Sequence, residues 1–298
     1  MKQLREIFQF WQARLGQPLA LATLVASRGS SYRRPGARMI IDEHGESAGG
    51  VSAGCIEEEV SAAAVAVLRD GGPRSMTFDT RLRFGCHGAI EIRVECIADE
   101  LMAEWHACLK QRRRCTLVTD LHGTRIGRVE STAGAFVQTI EPVLRLILIG
   151  NGTETAALHA HATFLGWDVI HLPATSASLP PLDERTAVVL ATHHFGRDCA
   201  ALRELLPAGL RYLGVVGSRR RREDLLFDVM QSGVRLESEL FAPAGLHLGA
   251  ESPEEIALSI TAEIQCVFAA GNGQSLRHRQ SPIHHPAPAL TPCVASAA

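Results

Sequence analysis

From Val143 onward the chain alternates apolar runs of strand length with runs of helical periodicity, and the first such strand ends in a glycine turn. Ile147-Leu148-Ile149-Gly150-Asn151-Gly152-Thr153-Glu154-Thr155 is a hydrophobic strand passing through GxGxxT into a helix. Strands are expected at 143–149, 168–172, 186–191 and 211–216. Helices are expected at 154–165, 197–206, 219–230 and 253–269. Regular alternation of this kind predicts an α/β fold, a parallel sheet covered by helices on both faces. The last helix announces its own start: Ser252 as N-cap, Pro253 at the first helical position and Glu255 two residues on form a capping box.

The glycine turn has a physical use. Gly150 and Gly152 let backbone approach a phosphate, while the N-terminus of the helix offers unpaired N–H groups and a positive dipole end. Thr155 stands where the third glycine of the dinucleotide fingerprint belongs. A dinucleotide site also needs an acid about 20 residues on, for the ribose hydroxyls. That place falls at His171-Leu172-Pro173-Ala174, without a carboxylate, and Asp168 precedes the strand. An NAD(P)-dependent oxidoreductase is therefore the weaker alternative, although the phosphate cradle survives. At the end of the fourth strand stands Gly217-Ser218-Arg219-Arg220-Arg221-Arg222. Four arginines at a helix start oppose the macrodipole, a cost that makes sense beside an anion. The competing expectation is a solvated face paired with Glu223 and Asp224. Asp198, after Thr192-His193-His194, reads equally as a crevice residue or a helix N-terminal acid.

The first half lacks regular alternation. An amphipathic helix carrying Leu4, Ile7, Phe8, Trp11 and Leu15 precedes a strand at 18–27, a hairpin turning at Glu43-His44-Gly45 and an Ala-rich helix at 56–70. Strands at 74–78 and 89–96, a helix at 98–113 and further strands around His122-Gly123 and at 135–140 complete an α+β half. The expected domains are 1–141 and 142–270, with a flexible Pro/His-rich tail at 271–298. Two glycine-flanked thiols stand out here, Gly49-Gly50-Val51-Ser52-Ala53-Gly54-Cys55 and Gly85-Cys86-His87-Gly88. Cys55 precedes a helix, whose dipole favours thiolate, a soft ligand or sulfur nucleophile. The plain alternatives are a small buried residue at a turn for Cys55 and a loop histidine at His87.

With a net charge of −2, nothing suggests nucleic-acid binding. No apolar run is long enough for a membrane span, and no signal sequence opens the chain. The eight cysteines show no CxxC and the histidines no HExxH, so reduced thiols in a soluble, cytoplasmic protein are expected.

Taken together, these segments resemble the xanthine dehydrogenase accessory (XdhC/CoxI) family. The matching pieces are GSSYRRPGARM at 29–39, GGVSAGCIEEEV at 49–60, GCHG at 85–88, LILIGNGTETAALHAHATFLGWDV at 146–169, ATHHFGRDCAAL at 191–202, YLGVVGSRRRREDL at 212–225 and APAGLHLGAESPEEIALSITAEI at 242–264. The resemblance implies an N-terminal XdhC/CoxI domain, a Rossmann-like domain and, commonly, a homodimer. It implies no catalysis by the chain itself. The implied role is a chaperone that binds the molybdenum cofactor, assists its sulfuration with a cysteine desulfurase and delivers it to an apo molybdenum hydroxylase of the xanthine dehydrogenase type. Whether the molybdopterin carries a cytosine nucleotide stays open. The expected cofactor-binding residues are Cys55, Cys86, Gly150, Gly152, Gly217, Ser218, Arg219 and Arg220, with Cys55 and Cys86 as molybdenum or sulfur contacts. The sequence departs from the family pattern at Ala53, His87 and His247, and in lacking the second-strand acid.

Overall fold

A computed structural model describes residues 2–29, 31–79, 88–120, 122–127, 134–173 and 178–280. The chain divides into two compact units, Lys2–Pro142 and one that begins at Val143.

In the first unit, the described residues build two antiparallel sheets. The larger runs β3-β2-β1-β5-β4, from β1 (Leu19–Gly29), β2 (Arg38–Asp42), β3 (Ser47–Gly49), β4 (Arg74–Asp79) and β5 (Gly88–Ile97). The smaller runs β7-β6-β8, from β6 (Cys115–Asp120), β7 (Gly123–Ile126) and β8 (Phe136–Ile140). Strand period two sorts the core onto two faces. Ala20, Ala22 and Leu24 turn toward α2 (Glu57–Asp70), meeting Val60, Ala64 and Val67. Alanine on both sides lets the helix sit close to the sheet. Leu19, Leu21 and Ile40 face the other way, against α1 (Lys2–Gln12) and α3 (Asp99–Lys110), where Ile7, Phe8, Trp11, Met102 and Trp105 are buried. The expected hairpin is β2–β3, pairing Ile41 with Ser47.

The second unit is the parallel α/β layer that the alternation predicted. Among the described residues its sheet runs β10-β9-β11-β12-β13, every pair parallel. The strands are β9 (Arg145–Gly150), β10 (Asp168–Leu172), β11 (Thr186–Ala191), β12 (Leu213–Val215) and the two-residue β13 (Leu240–Phe241), which sequence periodicity did not reveal. Leu146, Leu148, Ala187 and Val189 meet α4 (Thr153–Phe164) and α7 (Pro253–Ala269) through Leu158, Ala162, Ile260 and Ile264. Ile147, Ile149, Val188 and Leu190 meet α5 (Phe195–Leu205) and α6 (Arg219–Gln231) through Leu202, Leu205, Leu225 and Val229. Both faces are covered, so the middles of β9 and β11 are apolar on both sides, Leu146–Ile149 and Ala187–Ala191. The capping box at Ser252 and Glu255 forms as the sequence indicates. Of the expected tail, 276–278 make a single 3-10 turn, and 281–298 lie outside the described residues.

Counted within this unit the strand order is 2-1-3-4-5, which reverses direction between β9 and β11. Ligands of open parallel sheets bind at the carboxyl ends of the strands at such a reversal. The glycine and arginine features noted above sit on that edge: Gly150 ending β9 and Gly152 just past it, Thr192 to His194 after β11, and Gly217 to Arg222 after β12.

Candidate functional site

At the end of β9 the backbone has little freedom. Gly150 has φ +142°, and a Cβ there would lie 2.1 Å from the carbonyl oxygen of Ala191 on neighbouring β11. Only glycine admits that approach. Its own carbonyl is engaged from the other side by His171 Nε2 at 2.6 Å. His171 thus occupies the end of β10 where a dinucleotide-binding unit would place its ribose acid.

The turn itself is not an open cradle. Glu154, in the first turn of α4, bends back so that its carboxylate lies over Gly152, where an added Cβ would meet Oε1 at 2.4 Å. The Glu154 side chain is only 11% exposed and hydrogen-bonds His193 Nε2. His193 holds the left-handed conformation at φ +54°, which costs a residue with a Cβ about 1–2 kcal/mol. One residue after Glu154 the Thr155 hydroxyl is buried without a hydrogen-bond partner.

At the ends of β11 and β12 a second polar group is assembled. Asp198 is 1% exposed, accepts from Thr192 Oγ1 at 2.5 Å, and receives Arg221 Nη2 at 2.7 Å. It is a first-turn acid of α5, as one of the two readings of the sequence has it, and it is buried against Thr192 and Arg221. Arg221 reaches it by packing over Gly217, where a Cβ would meet Arg221 Cδ at 2.8 Å, and its Nε is left buried and unpaired. Ser218 caps α6 through the backbone N–H of Arg221. Among the described residues Arg219, Arg220 and Arg222 are exposed with no carboxylate partner, so the expected pairing with Glu223 and Asp224 does not occur. The chain leaving β13 adds a cavity of about 370 Å³ that includes His247, Glu251 and Ser259.

The alternating part of this unit coincides with a recognised domain. The model described as the XdhC Rossmann domain matches residues 146–264, and that described as the XdhC and CoxI family matches residues 12–79. A curated Escherichia coli K12 protein named "Molybdenum cofactor insertion chaperone PaoD" is 30% identical, over 85% of this chain and 84% of its own. The chain belongs to the XdhC and CoxI family. A Bacillus subtilis 168 relative, named as a probable subunit of xanthine dehydrogenase, is 29% identical, over 82% of this chain and 91% of its own. The crystal structure of a Bacillus halodurans protein described as a xanthine dehydrogenase shares the fold, with a TM-score of 0.74 at 24% identity over 93% of this chain and 98% of that one.

In the XdhC/CoxI unit, Cys55 is exposed, two residues before α2 begins. Its loop is tied down from beneath. Ser52 Oγ accepts from the N–H groups of Gly54 and Cys55, each at 3.2 Å, and donates to Glu57 Oε2 at 2.5 Å. Glu57 also accepts from Ser52 N at 2.8 Å and Ile56 N at 3.2 Å. Burial pushes the Glu57 carboxyl up, but these hydrogen bonds outweigh it and hold the group below the usual carboxylate range. Ser52 and Glu57 do not stand out in the sequence, although their positions five apart around a helix start are a usable signal. Cys86 and His87 lie outside the described residues. Among the described residues no cluster of three metal-ligating side chains occurs, and no helix is long and apolar enough to cross a membrane.

Proposed function

We propose that the protein is a molybdenum cofactor chaperone, which holds the phosphorylated pterin, assists its sulfuration and passes it to a hydroxylase of the xanthine dehydrogenase type. The observation that carries this reading is the carboxyl edge of β9, β11 and β12, a glycine-lined strand reversal with exposed arginines, in a chain related to a cofactor insertion chaperone. The residues present fit such a cargo. Arg219 and Arg220 offer guanidinium forks for phosphate beside the N-terminus of α6. Thr155 Oγ1 and Arg221 Nε are buried polar atoms awaiting a partner. Gly150 brings β9 close against β11, and Gly152 and Gly217 make room for the Glu154 and Arg221 side chains that line the edge. Molybdenum is a soft centre, and Cys55, with Cys86 as a second candidate, supplies the thiol for metal contact or sulfur transfer. In this reading the chain performs no turnover of its own. It works as a cytoplasmic homodimer, with a cysteine desulfurase as sulfur source.

Anaerobic purification followed by assay of oxidised pterin and metal tests the reading directly. Pterin should co-purify with the wild type. Cys55→Ala should lose pterin retention or sulfuration while staying folded, and charge reversal at Arg219 and Arg220 should weaken binding in a salt-dependent manner. A wild-type protein free of pterin, with NAD(P)H turnover instead, would replace this reading with the oxidoreductase alternative.

A further inference from the structure

The edge is electrically polar, and its polarity is opposite to what the glycine turn alone suggests. At the β9 end, where the fingerprint calls for a phosphate, the Glu154 carboxylate already covers Gly152. A phosphate at that turn would lie against a like charge. At the β12 end the first turn of α6 contains no acid and begins Arg219-Arg220-Arg221-Arg222. Only β11 separates β9 from β12, so two strand spacings, about 10 Å, lie between the acidic and basic ends.

We infer that Glu154 reads the hydrogen-bond-donor edge of the ligand, a fused 2-amino-4-oxopyrimidine, whose phosphate lies at Ser218, Arg219 and Arg220. This rests on the pterin-binding reading above and fixes the direction in which the ligand lies. A carboxylate accepts two parallel N–H bonds, and the 2-amino group with the adjacent ring N–H presents such a pair. Glu154 is held in place for this. Its hydrogen-bond partner is a histidine whose side chain is 54% exposed and whose backbone is strained, so the imidazole can yield its place without disturbing the core. Thr155 Oγ1, buried and unpartnered one residue away, offers a further polar contact at the same end. The chemistry is shared by pterins and guanine, and the probes separate them.

The test is equilibrium binding to the full-length protein of four probes: pterin monophosphate, its lumazine counterpart with oxygen in place of the 2-amino group, GMP, and IMP, which lacks that amino group. Wild type should prefer the amino-bearing member of the pair it binds by about tenfold or more, the scale of a lost hydrogen bond to a charged group. Glu154→Gln should bring that ratio to within about twofold. His193→Ala, which leaves the carboxylate in place, should keep the preference. No preference in the wild type, or an undiminished one in Glu154→Gln, overturns the inference. So does loss of the preference in His193→Ala, which would assign the reading to the imidazole. Pterin co-purifying with a wild type that shows no preference would leave the chaperone reading standing while this orientation falls. Whichever pair shows the effect decides between pterin and guanine.

Discussion

Arg221 donates from Nη2 to Oδ2 of Asp198 at 2.7 Å, joining the first turns of two helices that follow neighbouring strands. The carboxylate is buried and the guanidinium side chain is 23% exposed. Removing one member strands the other in a site too enclosed for water to replace it fully. Asp198→Ala should therefore lower unfolding stability by about 2 kcal/mol, discounted from the fully buried case for the exposure of Arg221. The double variant with Arg221→Met should cost less than the sum of the single changes in urea titrations.

Gly150 faces a stricter limit. Gly150→Ala puts a methyl into the Ala191 carbonyl and forces a left-handed backbone on a residue with a Cβ. A loss of about 3 kcal/mol is expected from strain and displacement of β11, read as a lowered urea midpoint with unchanged slope. Gly209, also left-handed but with nothing near its missing Cβ, is the control and should cost about 1 kcal/mol.

The thiols should sort by exposure under iodoacetamide. Cys55 and Cys96 are exposed, while Cys108, Cys115 and Cys199 are buried. Cys96 contacts the Val67 carbonyl at 3.6 Å, and burial pushes its thiol up. Burial also pushes Cys115 up to about 12 and Cys199 to about 11. Peptide mass spectrometry should find Cys55 modified first, Cys96 later, and Cys108, Cys115 and Cys199 only when the protein unfolds. Early labelling of Cys115 would contradict its place in the core.

Glu57 gives a pH signature. Its folded carboxyl ionises below the ordinary glutamate value, so the stability it contributes is fully present above that value and is lost as pH falls through the folded one. The stability gap between wild type and Glu57→Gln should be widest near neutrality and close as pH falls below the ordinary glutamate range, through the lowered folded value. A gap that widens toward acid would show that the Ser52 and Ile56 hydrogen bonds do not favour the charged form.

Much of the second unit is written in periodicity. Runs such as Ala187–Ala191 are apolar throughout because helices cover both faces, and the Ser252 box marks a helix start chemically. What stays hidden is what periodicity does not encode. Leu240–Phe241 is too short to show a period, and it is a strand only because β12 lies beside it. The Glu154–His193 pair joins residues 39 apart whose approach depends on the strand order. Likewise, four consecutive arginines read as one patch, yet Arg221 alone turns inward, because the helical turn aims it over Gly217 toward Asp198. In sequence the glycine turn reads as a place for phosphate, since glycines show where the backbone is bare and not which neighbouring side chain leans over it.

The bracket that Ser52 and Glu57 form beneath Cys55 has a kinetic corollary. A sulfhydryl on a slack tether must be captured and ordered by whatever it meets, losing freedom at each encounter. One mounted on a braced loop has already surrendered that freedom during folding. On the proposed reading, sulfur exchange with a second protein would then be governed by how often the two surfaces collide face to face, so loosening the brace should slow the exchange even where equilibrium association is unaltered.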